Sequence, residues 1–175
     1  MGIILQSASE ADFPDIVRLM NVAFRGAEGE RGWSFETDYI TGSRTNESLL
    51  KEEIAGGAQI LLAKDEVQSA LLGCVSLKAK SQEVWYLGSL TVDPALQNGG
   101  FGRNLLAAAE EFALAHGART IEMTVVNIRF ALIAWYERRG YRKTGENRPF
   151  PYGDNRFGTP TRDDLEFAVL EKHLQ

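Results

Sequence analysis

Apolar residues recur along this chain with two different periods, and the switches between them lay out the elements. Residues 3–6 are a short apolar run that predicts a strand. Ser9, Glu10, Ala11 and Asp12 then form a helix-capping pattern, and Ile16, Val17, Met20, Ala23 and Phe24 recur at helical spacing. Pro14 suits the first turn of that helix, where its missing N–H would be unpaired in any case. Glycines and charges over residues 26–32 break the pattern, and a second, polar helix is predicted within residues 48–54. Residues 58–63, 70–77 and 84–92 are three apolar segments of strand length, joined by polar links at 64–69 and 78–83. Links this short make antiparallel hairpins, because a parallel return needs a crossover of about a dozen residues.

Asp93 and Pro94 end the third of these strands, since proline has no N–H for the ladder. A helix follows over residues 103–116, with Leu105, Leu106, Ala109, Phe112 and Ala113 on one face and His116 in its last turn beside Gly117. Residues 120–126 are a β-branched strand. Residues 129–139 are a helix carrying Phe130, Ile133, Ala134 and Tyr136, closed by Gly140. A short strand at 141–144, a turn-rich segment at 145–164 and a last strand at 165–170 complete the chain. This order predicts one α/β (α+β) domain over residues 1–175: a mixed, mostly antiparallel central sheet flanked by helices on both faces.

Composition narrows the possibilities only a little. The 175 residues are 44% hydrophobic and 25% charged, a soluble globular balance. A net charge of −5 argues against non-specific binding to nucleic acid or to an anionic membrane. Cys74 is the only cysteine, which excludes an internal disulfide and a cysteine-based zinc site, and it reads as a small buried apolar residue. No metal site is expected. No leader-like or membrane-spanning apolar run is present, so a cytoplasmic location is expected.

The most informative stretch is 90–110, a strand end, a glycine-rich loop and a helix start. Gly99, Gly100 and Gly102 let the backbone turn sharply with its N–H groups inward, and the following helix adds free N–H groups and the positive end of its dipole. That is a phosphate or pyrophosphate site. The spacing fits neither the Gly-x-Gly-x-x-Gly of a dinucleotide fold nor the Gly-Lys-Ser/Thr of a Walker loop. Gln97-x-x-Gly100-x-Gly102 instead resembles the Gln/Arg-x-x-Gly-x-Gly/Ala loop of the GNAT superfamily of N-acetyltransferases, which holds the pyrophosphate of acetyl-CoA. Leu90-Thr91-Val92-Asp93-Pro94, the glycine loop, Asn127 and the run Ala134 to Tyr141 fall in the order that family shows.

The resemblance implies a fold whose two central parallel strands, ending near Val92 and Val126, splay apart to admit the pantetheine arm. It implies acetyl-CoA as co-substrate, with Leu90, Thr91, Val92, Gln97, Asn98, Gly99, Gly100, Phe101, Gly102, Arg103 and Asn127 against it. Gln97 replaces the commoner arginine and removes one positive charge. Asn127 also reads as a cap for the next helix. Tyr136 occupies the family's general-acid position. A phenol of pKa about 10 can donate to a thiolate whose acid resembles cysteine, at about 8.5.

The acceptor is expected to be a small-molecule or peptide amine attacking the thioester directly, with a catalytically inactive CoA-binding sensor as the competing reading. An alkyl amine must first lose a proton, at a cost of about 4.6 kcal/mol at pH 7. The strand holding Trp85, Tyr86 and Leu87 carries no central carboxylate, which leaves Glu83, Glu122, Glu36, Asp38 or a water relay. Residues 25–48 read either as an acceptor lid containing Trp33 and Glu36 or as a helix–loop–helix at the edge of the core. Residues 146–164, with Arg148 and Tyr152, read either as a substrate-choosing loop or as a surface loop or homodimer contact.

Overall fold

The computed structural model describes residues 3–26, 35–96 and 99–175. The elements run β1 (Leu5–Ser7), α1 (Phe13–Arg25), β2 (Ile40–Thr41), α2 (Glu47–Ala55), β3 (Gln59–Lys64), β4 (Leu71–Ala79) and β5 (Val84–Val92). They continue with α3 (Phe101–Ala115), β6 (Thr120–Val126), α4 (Phe130–Glu137), β7 (Arg142–Pro149), β8 (Thr159–Pro160) and β9 (Glu166–His173). Seven strands form one sheet in the order β1-β3-β4-β5-β6-β9-β7, antiparallel throughout except for β5 with β6.

Local chemistry sets the helix starts. The Asp12 carboxylate accepts the Ser9 N–H at 2.9 Å and Pro14 stands in the first turn of α1, while Asn46 caps α2 by accepting the Leu49 N–H at 3.0 Å. The apolar stripe of α1 and Leu50 of α2 cover Ile60, Leu62 and Cys74 on one face of the sheet. On the other face, Leu105, Leu106, Ala109 and Ala113 of α3 and Ile133 of α4 pack onto Leu61, Val75, Leu87, Val92, Ile121 and Met123. The sheet therefore has helices on both sides, as the periodicity predicts.

Two readings of the C-terminal third change. The strand expected over residues 141–144 continues to Pro149, so Arg148 lies on β7 rather than in a loop. Gly145, at φ 89°, marks a bulge where the β7–β9 register shifts between Lys143 and Asn147, so the glycine bends the strand without ending it. The remaining loop crosses to the segment after α1, where Ile40 pairs with Pro160 and Thr41 with Thr159. Arg25 fastens that crossing by donating to Gly42 O and Phe157 O, both at 2.7 Å. Among the described residues, 35–46 hold turns and β2 but no helix, while residues 27–34, with Trp33, lie outside the described residues.

Three of the five tyrosines, Tyr39, Tyr136 and Tyr141, are buried, and burial raises each phenol well above its ordinary value. A raised acid pKa leaves stability untouched below the unfolded value near 10 and removes it above. There the unfolded chain releases three protons that the folded chain retains. The unfolding free energy is expected to fall by about 4 kcal/mol per pH unit above pH 10, at about 1.4 kcal/mol per group. Denaturant midpoints should be flat over pH 7–9 and drop steeply beyond; phenolate absorbance from all five tyrosines near pH 10 with the fold intact would contradict this. The Tyr141 hydroxyl is also buried without a hydrogen-bond partner. Tyr141→Phe is expected to stabilise the fold by about 1–2 kcal/mol in the same measurement at pH 7.

Candidate active site

Gly100 caps α3 in a left-handed conformation, φ 79°, and contributes no side chain to the cap. Among the described residues other than its chain neighbours, a Cβ added there or at Gly99 would come no closer than 3.8 Å, at Arg103 Nη2 and Leu96 O respectively. The first intrahelical bond runs from Asn104 N–H to Gly100 O at 3.1 Å, which leaves the Phe101, Gly102 and Arg103 amides without helical partners. No acidic residue stands in that turn, and the Arg103 guanidinium lies beside the loop. These are the requirements of a pyrophosphate cradle, and the loop's residues fit one. Gln97 and Asn98 lie outside the described residues.

The N-terminal turn of α3 sits flush on the sheet. A Cβ on Gly73 would meet Thr91 O at 2.8 Å and the Phe101 ring at 3.1 Å. This close approach sets the glycine loop beside the end of β5, where Leu90, Thr91 and Val92 are buried. There the sheet opens. β5 and β6 pair only at Val84–Thr120, Trp85–Ile121 and Tyr86–Glu122, although β5 runs on to Val92 and β6 to Val126. Beyond that vertex the facing edges have no ladder partner in each other. At the vertex the Tyr86 hydroxyl and Thr124 Oγ1 are hydrogen-bonded at 2.6 Å. Three residues further along β5, Ser89 adopts φ 51°, at a register shift between Cys74 and Ser76 of β4. A left-handed serine costs about 1–2 kcal/mol, and such strain collects at functional sites.

Tyr136 of α4 is 6% exposed, set edge-on to the Trp135 and Tyr141 rings at 5.1 and 5.6 Å. Burial raises its phenol, and Arg129 and Tyr86 are close enough for their charges to act on it. It therefore keeps its proton across the working pH range and remains a donor. Asn127 does not cap α4, whose N-cap is Arg129. Its side chain accepts from Glu166 N–H at 3.0 Å and donates to Asp164 O at 3.1 Å, tying the end of β6 to the start of β9.

The face opposite α3 carries the residues expected to meet the acceptor. Trp33 lies outside the described residues. Glu36 accepts from the Tyr39 hydroxyl at 2.9 Å and lies 3.5 Å from Arg25 and 4.0 Å from Arg44. Arg44 in turn donates to Ser89 Oγ at 3.1 Å, with its guanidinium between the Phe24 and Phe157 rings. Arg148 bridges Glu122 and Glu146 at 2.9 and 3.1 Å. Burial pushes the Glu122 carboxyl up, but hydrogen bonds from Lys80 and Arg148 outweigh it and hold the group below the usual carboxylate range, which makes it a poor base. The Tyr152 hydroxyl accepts the Leu165 N–H at 2.9 Å. Glu83 and Asp38 are exposed.

Sequence reading misses three residues that the structure brings to the opening: Ser89, Arg44 and Tyr86. The Gly88-Ser89 pair inside a strand is a bulge signal that could have marked the first. Nothing local marks the other two, which are placed by contacts across 45 and 38 positions of chain. Among the described residues, no group of His, Cys, Asp or Glu side chains could hold a metal ion, and no helix is long and apolar enough to cross a membrane.

Comparison with known proteins agrees with this geometry. No curated protein sequence matches the chain. Among solved structures, an Elizabethkingia anophelis GNAT family acetyltransferase with acetyl-CoA bound superimposes with a TM-score of 0.71, at 18% identity over 99% of both chains. The ribosomal-protein-S18-alanine N-acetyltransferase of Escherichia coli gives 0.68, at 16% identity over 98% of this chain and 94% of that one. An IAA acetyltransferase from Bacillus cereus gives 0.67, at 16% identity over 99% of this chain and 100% of that one. At these identities the likeness is one of fold. The family model for acetyltransferases (GNAT) matches residues 18–141, from α1 through the glycine loop and the open strands to Tyr141, and the chain therefore belongs to the GNAT acetyltransferase family, whose co-substrate is acetyl-CoA.

Proposed function

We propose that the protein is an N-acetyltransferase in which an amine attacks the acetyl thioester directly, with both substrates bound at once. The observation that carries this reading is the opening between β5 and β6, which lies beside the α3 N-terminus, with Arg44 bonded to Ser89 of β5. Acetyl-CoA supplies the activated acetyl group. The free amides of the α3 turn, with Gly99, Gly100 and Arg103, receive its pyrophosphate. The unpaired edge of β5 at Leu90, Thr91 and Val92 offers N–H groups to the pantetheine amides and to the thioester oxygen, where charge grows as the nitrogen attacks. Tyr136 hands its phenolic proton to the departing sulfur, and the amine approaches from the opposite face, past Arg44 and Tyr86.

This division of labour separates in experiment. Wild-type protein is expected to bind acetyl-CoA in calorimetry and to release free thiol with some members of an amine panel. Gly100→Val forces a branched residue into a left-handed turn of the loop, and should weaken acetyl-CoA binding at least about tenfold, or 1.4 kcal/mol. Equal binding by the variant, or none by the wild type, would sink the cradle assignment. Binding without thiol release for any amine would favour the sensor reading.

Tyr136→Phe keeps the ring and removes the proton donor. The dissociation constant for acetyl-CoA should stay within about twofold while kcat drops about 10²-fold, the lower end of what a positioned general acid contributes. A wild-type kcat in this variant would take Tyr136 out of the chemistry.

A further inference from the structure

The proposed reaction needs a group to take a proton from the incoming ammonium, and the carboxylates singled out by sequence are either exposed or already ion-paired. Glu83 and Asp38 are exposed, while Glu36 and Glu122 are each flanked by two cations. The packing of α2 puts another carboxylate in the right place. Leu50 of α2 belongs to the cluster that includes Cys74 of β4, and Gly56 and Gly57, just past the helix, approach the Lys78 side chain within 4 Å of their built Cβ positions. Glu53 lies between these contacts, one helical turn after Leu49 and Leu50, and so projects over Ser76. Ser76 is buried and pairs directly with Gly88, the residue before the Ser89 bulge. Gly88 leaves the floor low, with the Tyr86 ring along its side at 3.2 Å from a built Cβ. Ser76 and Gly88 thus connect the place of Glu53 to the strand whose far end borders the opening in the sheet.

Glu53 is half-buried, yet it makes no ion pair among the described residues, whereas Glu36, Glu52, Glu122 and Glu146 all do. The groups facing it are Arg44 from the segment before α2 and Cys74, Ser76 and Lys78 from β4, while its neighbour Glu52 is held by Arg156. Burial raises its carboxyl, and Arg44, the Ser76 hydroxyl and Lys78 draw it only partway back. Burial pushes the Cys74 thiol up to about 12, so that it stays neutral beside the carboxylate.

We infer that Glu53 receives the acceptor's ammonium group and removes its proton before attack. The inference rests on the acetyl-transfer reading above. One N–H proton passes to the Glu53 carboxylate and the freed lone pair forms the N–C bond. The C–S bond breaks, and its electron pair leaves on sulfur, which takes the Tyr136 proton. The second nitrogen proton restores the phenol, and Glu53 releases its own to solvent. The balance is acetyl thioester plus ammonium giving amide, thiol and one proton.

The test compares Glu53→Gln with wild type across pH, using an amine that the wild type accepts. Glutamine keeps the shape, and the unfolding midpoint at pH 7 should be unchanged or higher. At pH 7, kcat/KM is expected to fall about 10²-fold with acetyl-CoA affinity unaltered. The deficit should shrink as pH climbs toward the amine's own pKa near 10.4, where the substrate deprotonates unaided. A purely structural role would not be rescued in this way, and a pH-independent loss or a wild-type rate would overturn the inference. Ser76→Ala provides a second arm should the glutamine variant not fold. Loss of the hydroxyl must shift the acidic limb of the wild-type profile to higher pH, and an unmoved limb counts against Glu53. If wild type itself releases no thiol with any amine, the transferase reading fails and this inference with it. Failure of Glu53 alone leaves wild type active.

Discussion

The rest of this structure depends on two parallel strands ceasing to pair part-way along their length. A ladder that stops inside a sheet leaves N–H and C=O groups facing a gap, and each costs about 1–3 kcal/mol if it stays dry and unpaired. The gap persists because each strand is held from its other side. β4 continues beside β5 to Val92, and β9 pairs with β6 over its whole length from Thr120 to Val126. α3 wedges against the end of β5 through the Gly73 contact, and the Tyr86–Thr124 hydrogen bond pins the vertex. The Ser89 bulge turns β5 away just beyond it. Backbone without a ladder partner and local strain are thereby concentrated at one place, which is what the proposed pairing with a ligand's amides and carbonyl would require.

The two mouths of this opening differ electrostatically. On the α3 side the field comes from backbone, the unpaired amides and dipole of one helix, with Arg103 beside them. On the other side it comes from side chains in compensating pairs: Glu36 with Arg25 and Arg44, and Glu122 with Lys80 and Arg148. Partly buried and exposed pairs of this kind contribute little net stability, since desolvation and solvent screening offset most of their attraction. What they provide is position. Arg25, 8% exposed in its side chain, ties Gly42 and Phe157 to the end of α1 and so holds the two outer segments against each other.

Much of the fold is written in local pattern. The 3.6-residue and two-residue periods place α1, α3 and the central strands, and the short polar links give their antiparallel pairing. The glycine loop is equally legible, because recognition by backbone demands residues with no side chain and a turn that only glycine adopts easily, as Gly100 does. The end of β7 misleads for the same reason. Gly145 looks like a stop signal, and only the pairing with β9 on both sides of it shows a bulge. β2 and β8, two residues each, carry no period at all and exist because they meet each other.

The proposed acceptor side is illegible in sequence for a related physical reason. Its groups are ordinary charged and aromatic residues whose meaning arises only from distant partners: Arg44 from Ser89, Arg25 from Phe157, Glu53 from Ser76. Glu53 is the instructive case. Its place on the inner face of α2 follows from the spacing to Leu49 and Leu50, but inner-face carboxylates also arise where a helix end meets water, and α2 ends only two residues later. What favours the inferred role is the strand beneath, where Ser76 and Gly88 place a hydroxyl and a residue without a side chain. α2, the residue 35–46 segment and the β7–β9 loop are three separate stretches of chain, and none belongs to the α3 cradle. Under the proposed acetyl transfer, changes in them would alter which amine is received while the glycine loop and the open strands keep the same acetyl donor.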